Sequence, residues 1–164
     1  MGVSCTPVLT ALRRLEYDGL IISRPRSGFY MPVFDEAAVN ETTDALNMIY
    51  LTVFSEIIDN HDNAYIDRLE DLAHLAQSAY EAKDFTEYIQ QDREFHRTVV
   101  AYLHNDRIMQ FYNRLHRQME ISSSADERGI DRMHPETHFL WCELLRKQDL
   151  PGLKELLKIY KERN

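Results

Sequence analysis

The sequence has few of the features that cross-link a protein or anchor it in a membrane. Only two cysteines, Cys5 and Cys142, occur in 164 residues, too few for a disulfide framework and without metal-site spacing. No apolar run approaches the roughly 20 residues that a membrane helix needs. The N-terminus lacks the basic-then-apolar pattern of a signal peptide. We therefore expect no membrane association, no export and a cytoplasmic location.

Enzyme signatures are also lacking. The sequence contains no glycine-rich phosphate loop, no nucleophile elbow and no metalloprotease helix motif. An Asp/His pair could act as a general base, but no nucleophile or oxyanion arrangement accompanies it. We therefore expect a binding protein and not an enzyme. A metal-dependent enzyme is the weakest of three functional hypotheses, and the other two, both binding proteins, are given below.

The charge is unevenly distributed along the chain. The formal net charge is -8. Residues 1–33 carry four arginines against two acidic residues, a charge of +2, which leaves -10 for the remainder. A basic head on an acidic body predicts two functions, with any anionic partner bound at the head.

The head reads as a helix followed by a hairpin. Thr6-Pro7 has the chemistry of a helix start, and Gly19 that of a helix end. Residues 20–24 are typical of a short strand, residues 25–28 of a turn, and residues 29–31 of a returning strand. This order is that of the second half of a winged helix-turn-helix.

The body shows only helical periodicity after Pro32. Its apolar stripes predict about six antiparallel helices with short connections, apart from a polar loop over residues 122–133. The helix that follows Asn105 should bury Ile108, Phe111, Tyr112, Leu115 and Met119. The predicted starts of the helices lie at Asp35, Asp62, Asp84, Asn105, Pro135 and Asp149.

Three polar residues lie on apolar stripes. Asp92 and His96 are one helical turn apart on one stripe, and His138 lies on another. Buried groups of this kind must be hydrogen-bonded, paired or metal-bound. An aspartate with two histidines is a partial ligand set for a divalent transition metal such as zinc, nickel, iron or manganese. Two alternatives stay open: a hydrogen-bonded polar core, or pairing of Asp92 with His96 alone.

Other candidates are weaker on the pattern alone. Tyr160 lies on the last stripe and by default is a core tyrosine whose hydroxyl finds a partner. The remaining histidines lie near helix ends or outer faces, and we expect them to be structural or solvated; they are His61, His74, His104, His116 and His134.

The quoted motifs match a known family over nearly the whole chain. The run from Val3 to Glu16, with Asp18-Gly19-Leu20 and Arg24 to Gly28, resembles the end of the winged-helix domain of GntR-type transcription regulators. The body resembles the all-helical effector domain of their FadR-like branch, the FCD domain. The marks of that domain are Asp92-x-x-Phe95-His96, Asn105, His138 and Asp149.

The resemblance implies a function for each part. The helical domain is expected to bind a small carboxylate metabolite, in many members through a metal held by an aspartate and three histidines. Asp92, His96 and His138 match the first three ligands, and the fourth position falls at Tyr160, whose neutral phenol is a poor ligand. These four residues form the expected ligand site. The head is expected to bind operator DNA as part of a homodimer through Ser4, Thr6, Arg13, Arg14, Arg24 and Arg26.

The head departs from the family pattern at two positions. Cys5 and Leu9 stand where the family has arginine, the side chain best suited to guanine edges and phosphates. The second hypothesis is therefore a metal- or ligand-binding helical module that has lost specific DNA binding. The sequence predicts an all-α fold with two parts: a partial winged helix-turn-helix over residues 1–33, with a β-hairpin wing, and an FCD-like antiparallel helical bundle over residues 34–164.

Overall fold

The computed structural model describes residues 5–32, 35–124 and 135–163, without the side chains of residues 5, 122–124 and 160–163. The described residues form seven helices and one two-stranded antiparallel sheet, in agreement with the predicted fold class. In chain order the elements are α1 (Cys5–Tyr17), β1 (Ile22–Arg24), β2 (Gly28–Tyr30), α2 (Glu36–Asp59), α3 (Asn63–Glu81), α4 (Phe85–Ala101), α5 (Asp106–Ser124), α6 (Glu136–Arg146) and α7 (Leu150–Arg163).

Aspartates start three of the body helices, as the sequence predicts. Asp35, Asp62 and Asp84 are the N-caps of α2, α3 and α4, and each side chain accepts a hydrogen bond from a backbone N–H three residues on, at 2.9 to 3.1 Å. Such caps satisfy otherwise unpaired N–H groups and stabilise a helix by about 1 kcal/mol each.

Helices α2 to α7 form the predicted six-helix bundle. Helix α3 packs on α4 and α6, while α2 packs on α5 and α7. Val53, Phe54 and Ile57 of α2 are completely buried. Asp92, His96 and His138 of the site described below lie on α4 and α6, and α2, α5 and α7 contribute further residues to its lining. None of the described helices is both long and apolar enough to span a membrane.

The first strand of the hairpin is two residues shorter than predicted, and the second strand begins and ends one residue earlier than predicted. The first strand begins at Ile22, not Leu20, because the Leu20 N–H bonds to the Leu15 carbonyl and belongs to the final turn of α1. Gly19 permits this turn with φ of +73°. The pairing joins Ile22 to Tyr30.

Three side chains of α5 contact the end of α1. The Arg117 guanidinium lies 3.3 Å from the Asp18 carboxylate. Gln118 Nε2 donates to the Asp18 carbonyl at 3.5 Å. Arg114 lies over the Tyr17 ring, 5.6 Å from its centre. The head is therefore attached to one specific helix of the bundle.

Helix α5 continues to Ser124, so the predicted loop start at Ser122 is three residues early. The rest of the predicted loop, residues 125–133, lies outside the described residues. The division into residues 1–33 and 34–164 stays a prediction.

Candidate metal and ligand site

Asp92, His96 and His138 come together inside the bundle, as the sequence predicts. The Asp92 Oδ1 atom lies 3.1 Å from His138 Nε2 and 3.8 Å from His96 Nε2. Each residue offers one ligand atom, and these atoms all lie within 4.8 Å of one another. The closer contact is with His138 on α6, so the alternative in which Asp92 pairs with His96 alone is wrong.

The protonation states suit a metal. Burial lowers the pKa of His96 to about 3 and outweighs the opposing effect of Asp92. Burial would raise the pKa of Asp92, but the neighbouring His96 and His138 outweigh it and lower the pKa to about 2. At neutral pH the carboxyl is therefore ionised and the His96 imidazole neutral. These are the forms that bind a cation.

The donor set fits a divalent transition metal. Metal bonds to histidine nitrogen and carboxylate oxygen are about 2 Å long, so ligand atoms of one metal lie roughly 3 to 4 Å apart. The distances from Asp92 Oδ1 to both imidazoles fall in that range. Two imidazole nitrogens and one carboxylate oxygen form a donor set suited to zinc, nickel, iron or manganese.

Two tyrosines hold the ligand side chains. The Tyr50 hydroxyl lies 3.2 Å from His96 Nδ1, which leaves Nε2 of that ring toward Asp92. The Tyr88 hydroxyl donates to Asp92 Oδ1 at 3.4 Å. Burial raises the pKa of both tyrosines, so both hydroxyls stay protonated. Partners of this kind orient metal ligands in known sites.

A cavity of about 210 Å³ adjoins the three residues. Its volume corresponds to about seven water molecules at liquid density. Among its described lining residues there is no lysine or arginine. The described lining residues are Thr43, Leu46, Asn47, Tyr50, Tyr88, Asp92, His96, His116, Met119, Thr137, His138, Trp141 and Leu157.

Two buried nitrogens of residues that line this cavity have no hydrogen-bond partner within the described part of the chain. They are His138 Nδ1 and Trp141 Nε1. Both side chains are almost fully buried, at 2% and 3% exposure. An unsatisfied buried polar group costs about 1 to 3 kcal/mol. Such a group in a native protein calls for an explanation, such as a bound water, an ion or a functional role.

His116 is the site residue that sequence reasoning missed. The predicted outer-face position is wrong, because the imidazole is 17% exposed and lines the cavity, whereas its pairing with Glu120 agrees with the expected structural role. Conversely, Phe111 was expected in the core and is 51% exposed. The rest of the predicted stripe is confirmed, since Tyr112 and Leu115 are buried and Ile108 and Met119 pack against the core. The spacing of His116 four residues after the buried Tyr112 is the signal that could have found it.

Tyr160 cannot be placed against the other three ligand positions. Its backbone belongs to α7, but its side chain lies outside the described residues. The expectation that it occupies the fourth position stays a prediction.

Known proteins similar to this chain agree with this architecture. The model of the FCD domain matches residues 41–160. The chain belongs to the FCD domain family. The HTH-type transcriptional regulator YdhC of Bacillus subtilis (strain 168), itself uncharacterized, is 29% identical over 105 residues, which are 63% of this chain and 47% of YdhC. This FCD chain thus spans about half the length of the curated relative it matches.

Solved structures share the fold of this FCD chain. E. coli McbR/YncC superposes with a TM-score of 0.75 at 18% identity, over 100% of this chain and 84% of that one. A structure described as the transcriptional regulator GntR from Rhodococcus sp. RHA1 gives 0.73 at 19% identity, over 98% and 78%. The predicted resemblance to GntR-type regulators with an FCD domain is confirmed.

The predicted DNA contacts of the FCD chain lie in the head, away from the cavity. Arg13 and Arg14 are exposed on α1, and Arg24 and Arg26 are exposed at the hairpin. Arg24 lies over the Tyr30 ring, 5.1 Å from its centre. Thr6 is exposed and its carbonyl accepts from Thr10. Ser4 lies outside the described residues.

Proposed function

We propose that this chain is part of a ligand-responsive transcription regulator. In this proposal the FCD bundle binds a small carboxylate metabolite, and its binding changes the affinity of the basic head for operator DNA. The observation that carries the proposal is the convergence of Asp92, His96 and His138 beside a cavity. Relatives with the same domain are named as transcriptional regulators.

A divalent metal explains how an acidic ligand could bind here. Ionised Asp92 repels a carboxylate, and no described lining residue is a lysine or arginine. Asp92, His96 and His138 would hold the metal, which when bound supplies the positive charge that attracts a carboxylate. Trp141, whose indole N–H has no acceptor among the described residues, offers a hydrogen bond to a ligand oxygen.

The size of the cavity restricts the ligand. A volume of about 210 Å³ accommodates a small metabolite and not a long acyl chain. The described site also lacks a nucleophile with a paired base, and this supports binding in preference to catalysis.

The head supports DNA binding through charge. The exposed Arg13, Arg14, Arg24 and Arg26 can contact phosphates, which position a protein without specifying a sequence. Contacts of Asp18 with Arg117 and Gln118 attach the head to α5. Ligand binding that favours one arrangement of the heads in a homodimer would alter operator affinity by population shift.

A second candidate is a helical binding module without specific DNA recognition. Leu9 is 47% exposed on α1, at a position where the family pattern has arginine. An exposed leucine cannot form the paired hydrogen bonds that read guanine. DNA affinity that falls steeply with salt but does not discriminate sequences would support this candidate.

The test begins with metal content. Protein purified without a metal-affinity tag is compared with His96→Ala, and about one equivalent of transition metal is expected in the first and little in the second. Carboxylates are then screened by thermal shift with and without metal, and DNA binding is measured with any carboxylate found. Absence of metal from both proteins would overturn the metal part of the proposal. A carboxylate that stabilises the protein without changing its DNA affinity would overturn the regulatory part.

A further inference from the structure

We propose that His116 is a fourth protein ligand of the metal, a role for which the family motif leaves this chain only Tyr160. The inference rests on the proposed function, because it concerns the same metal site. It assigns a metal-binding role to a residue of α5 that lies outside the family motif. It also makes α5 a third helix, beside α4 and α6, that binds the metal.

The first argument is position. His116 lines the same cavity as Asp92, His96 and His138. The ring centres of His96 and His116 are 6.1 Å apart, against 5.2 Å for His96 and His138. Two imidazoles on one metal have ring centres about 5 Å apart, since each nitrogen lies about 2 Å from the metal. The His96–His116 separation is therefore about an ångström too long, and His116 lies outside the group of ligand atoms within 4.8 Å of one another that Asp92, His96 and His138 form. Metal binding by His116 would draw its side chain closer to the other three.

The second argument is orientation. His116 Nδ1 lies 3.2 Å from the Glu120 carboxylate, one helical turn further along α5. With Nδ1 engaged in this way, Nε2 is the ring nitrogen left for a metal. Metal-binding histidines commonly give their other nitrogen to a carboxylate, which fixes the tautomer and raises the basicity of the ligand. The His116–Glu120 pair has this arrangement.

The third argument is the anchoring of the carboxylate. Arg93 Nε donates to Glu120 Oε1 at 2.7 Å, from α4 to α5. This ion pair joins the helix of Asp92 and His96 to the helix of His116. Glu120 is thereby a positioning residue, held by Arg93 while it holds the imidazole. A histidine that merely paired with a surface glutamate would not need to lie in the cavity with 17% exposure.

The experiment is titration with Co(II), whose absorption bands report the number and type of ligands. The full chain is compared with His116→Ala, Glu120→Gln and His74→Ala, the last being a control that removes an exposed imidazole of α3. We expect His116→Ala to weaken Co(II) binding by at least 10-fold and to change the absorption bands. Glu120→Gln should weaken binding by about 10-fold. His74→Ala should match wild type.

The outcomes separate this inference from the proposed function. Suppose that wild type binds Co(II), that Asp92→Asn weakens this binding, and that His116→Ala leaves the affinity and the spectrum unchanged. This result would overturn the role of His116 alone. No Co(II) binding by wild type would overturn both. Helical content measured by circular dichroism checks the folding of each variant. If His116→Ala does not fold, the milder Glu120→Gln decides, since unchanged affinity and bands there would overturn the role of Glu120 and the imidazole it holds. Added imidazole should restore the bands of His116→Ala.

Discussion

The Asp92 carboxylate of α4 and the His138 imidazole of α6 meet inside the bundle, with Oδ1 3.1 Å from Nε2. His138 is 2% exposed and stacks on Phe95, with ring centres 4.0 Å apart. An ionised carboxylate therefore contacts a buried imidazole across two helices. A substitution that removes the charge of Asp92 but keeps the shape of its side chain can therefore test what the charge contributes.

Replacement of Asp92 by asparagine should remove that charge and keep an acceptor oxygen. We expect Asp92→Asn to weaken Zn(II) binding by at least 10-fold in calorimetry, because the site loses its anionic ligand. Asp71→Asn, an exposed position of α3, is the matched control. Equal affinities in the two variants would show that the metal does not use Asp92.

Removal of metal should lower the thermal stability of the loaded protein. A ligand at 100 times its Kd stabilises the folded state by about 2.7 kcal/mol. For a chain of this size each kcal/mol changes Tm by roughly 2 to 4 °C. A chelator should therefore lower Tm by about 5 to 10 °C in scanning calorimetry. Asp92→Asn should show little of this change, and an equal change there would contradict a site at Asp92.

Two of the three leucines of α3 should differ in their contribution to stability. Leu69 is fully buried and Leu75 is 52% exposed. Leu69→Ala should lower the free energy of unfolding by about 2 to 5 kcal/mol, because it leaves a cavity in the core. Leu75→Ala should change it by less than about 1 kcal/mol. Urea unfolding measures both, and similar losses would mean that the packing of α3 differs from that described.

The end of α3 offers a position where glycine should stabilise the fold. Lys83 has φ of +59°, a conformation that costs a side chain about 1 kcal/mol. Lys83→Gly should therefore raise the free energy of unfolding by roughly 0.5 kcal/mol after the entropy of the unfolded chain is included. The neighbouring Ala82 has φ of -72°, so Ala82→Gly should lower it. Chemical unfolding of both variants tests the difference in sign.

Cys142 should be unreactive in the folded protein. Its side chain is buried, and burial raises the pKa of the thiol to about 12 from an ordinary 9.0. The reactive thiolate is therefore scarce up to about pH 11. In a Cys5→Ser variant, alkylation at pH 8 should require unfolding and should accelerate with denaturant. Rapid labelling in native buffer would contradict the burial of Cys142.

The same shift has a consequence for stability. A thiol with a raised pKa keeps its proton longer in the folded state than in the unfolded one. The contribution of this thiol to the free energy of unfolding is present below pH 9 and is lost as the pH rises toward 12.

Local signals in the sequence were sufficient for the helices and for three site residues. Asp35, Asp62 and Asp84 start helices because their side chains cap nearby N–H groups, a contact within four residues. Asp92 and His138 were found because polar side chains on apolar stripes must meet a partner. These inferences use periodicity and spacing alone.

Other features depend on contacts that periodicity does not contain. The exposure of Phe111 and the partial burial of His116 depend on which side of α5 packs against α2 and α4. Likewise, Arg93 looks like an ordinary surface residue in the sequence, although it bonds to Glu120 on another helix. A single sequence cannot give such pairings between helices.

The contacts between the head and α5 also restrict how this chain can be recombined with its relatives. A chimera joined at Pro32, between the predicted domains, would place a foreign head against Arg114, Arg117 and Gln118 without their present partners Tyr17 and Asp18. An exchange that preserves the junction must therefore carry these three α5 residues with the head. The unit of exchange is discontinuous in sequence.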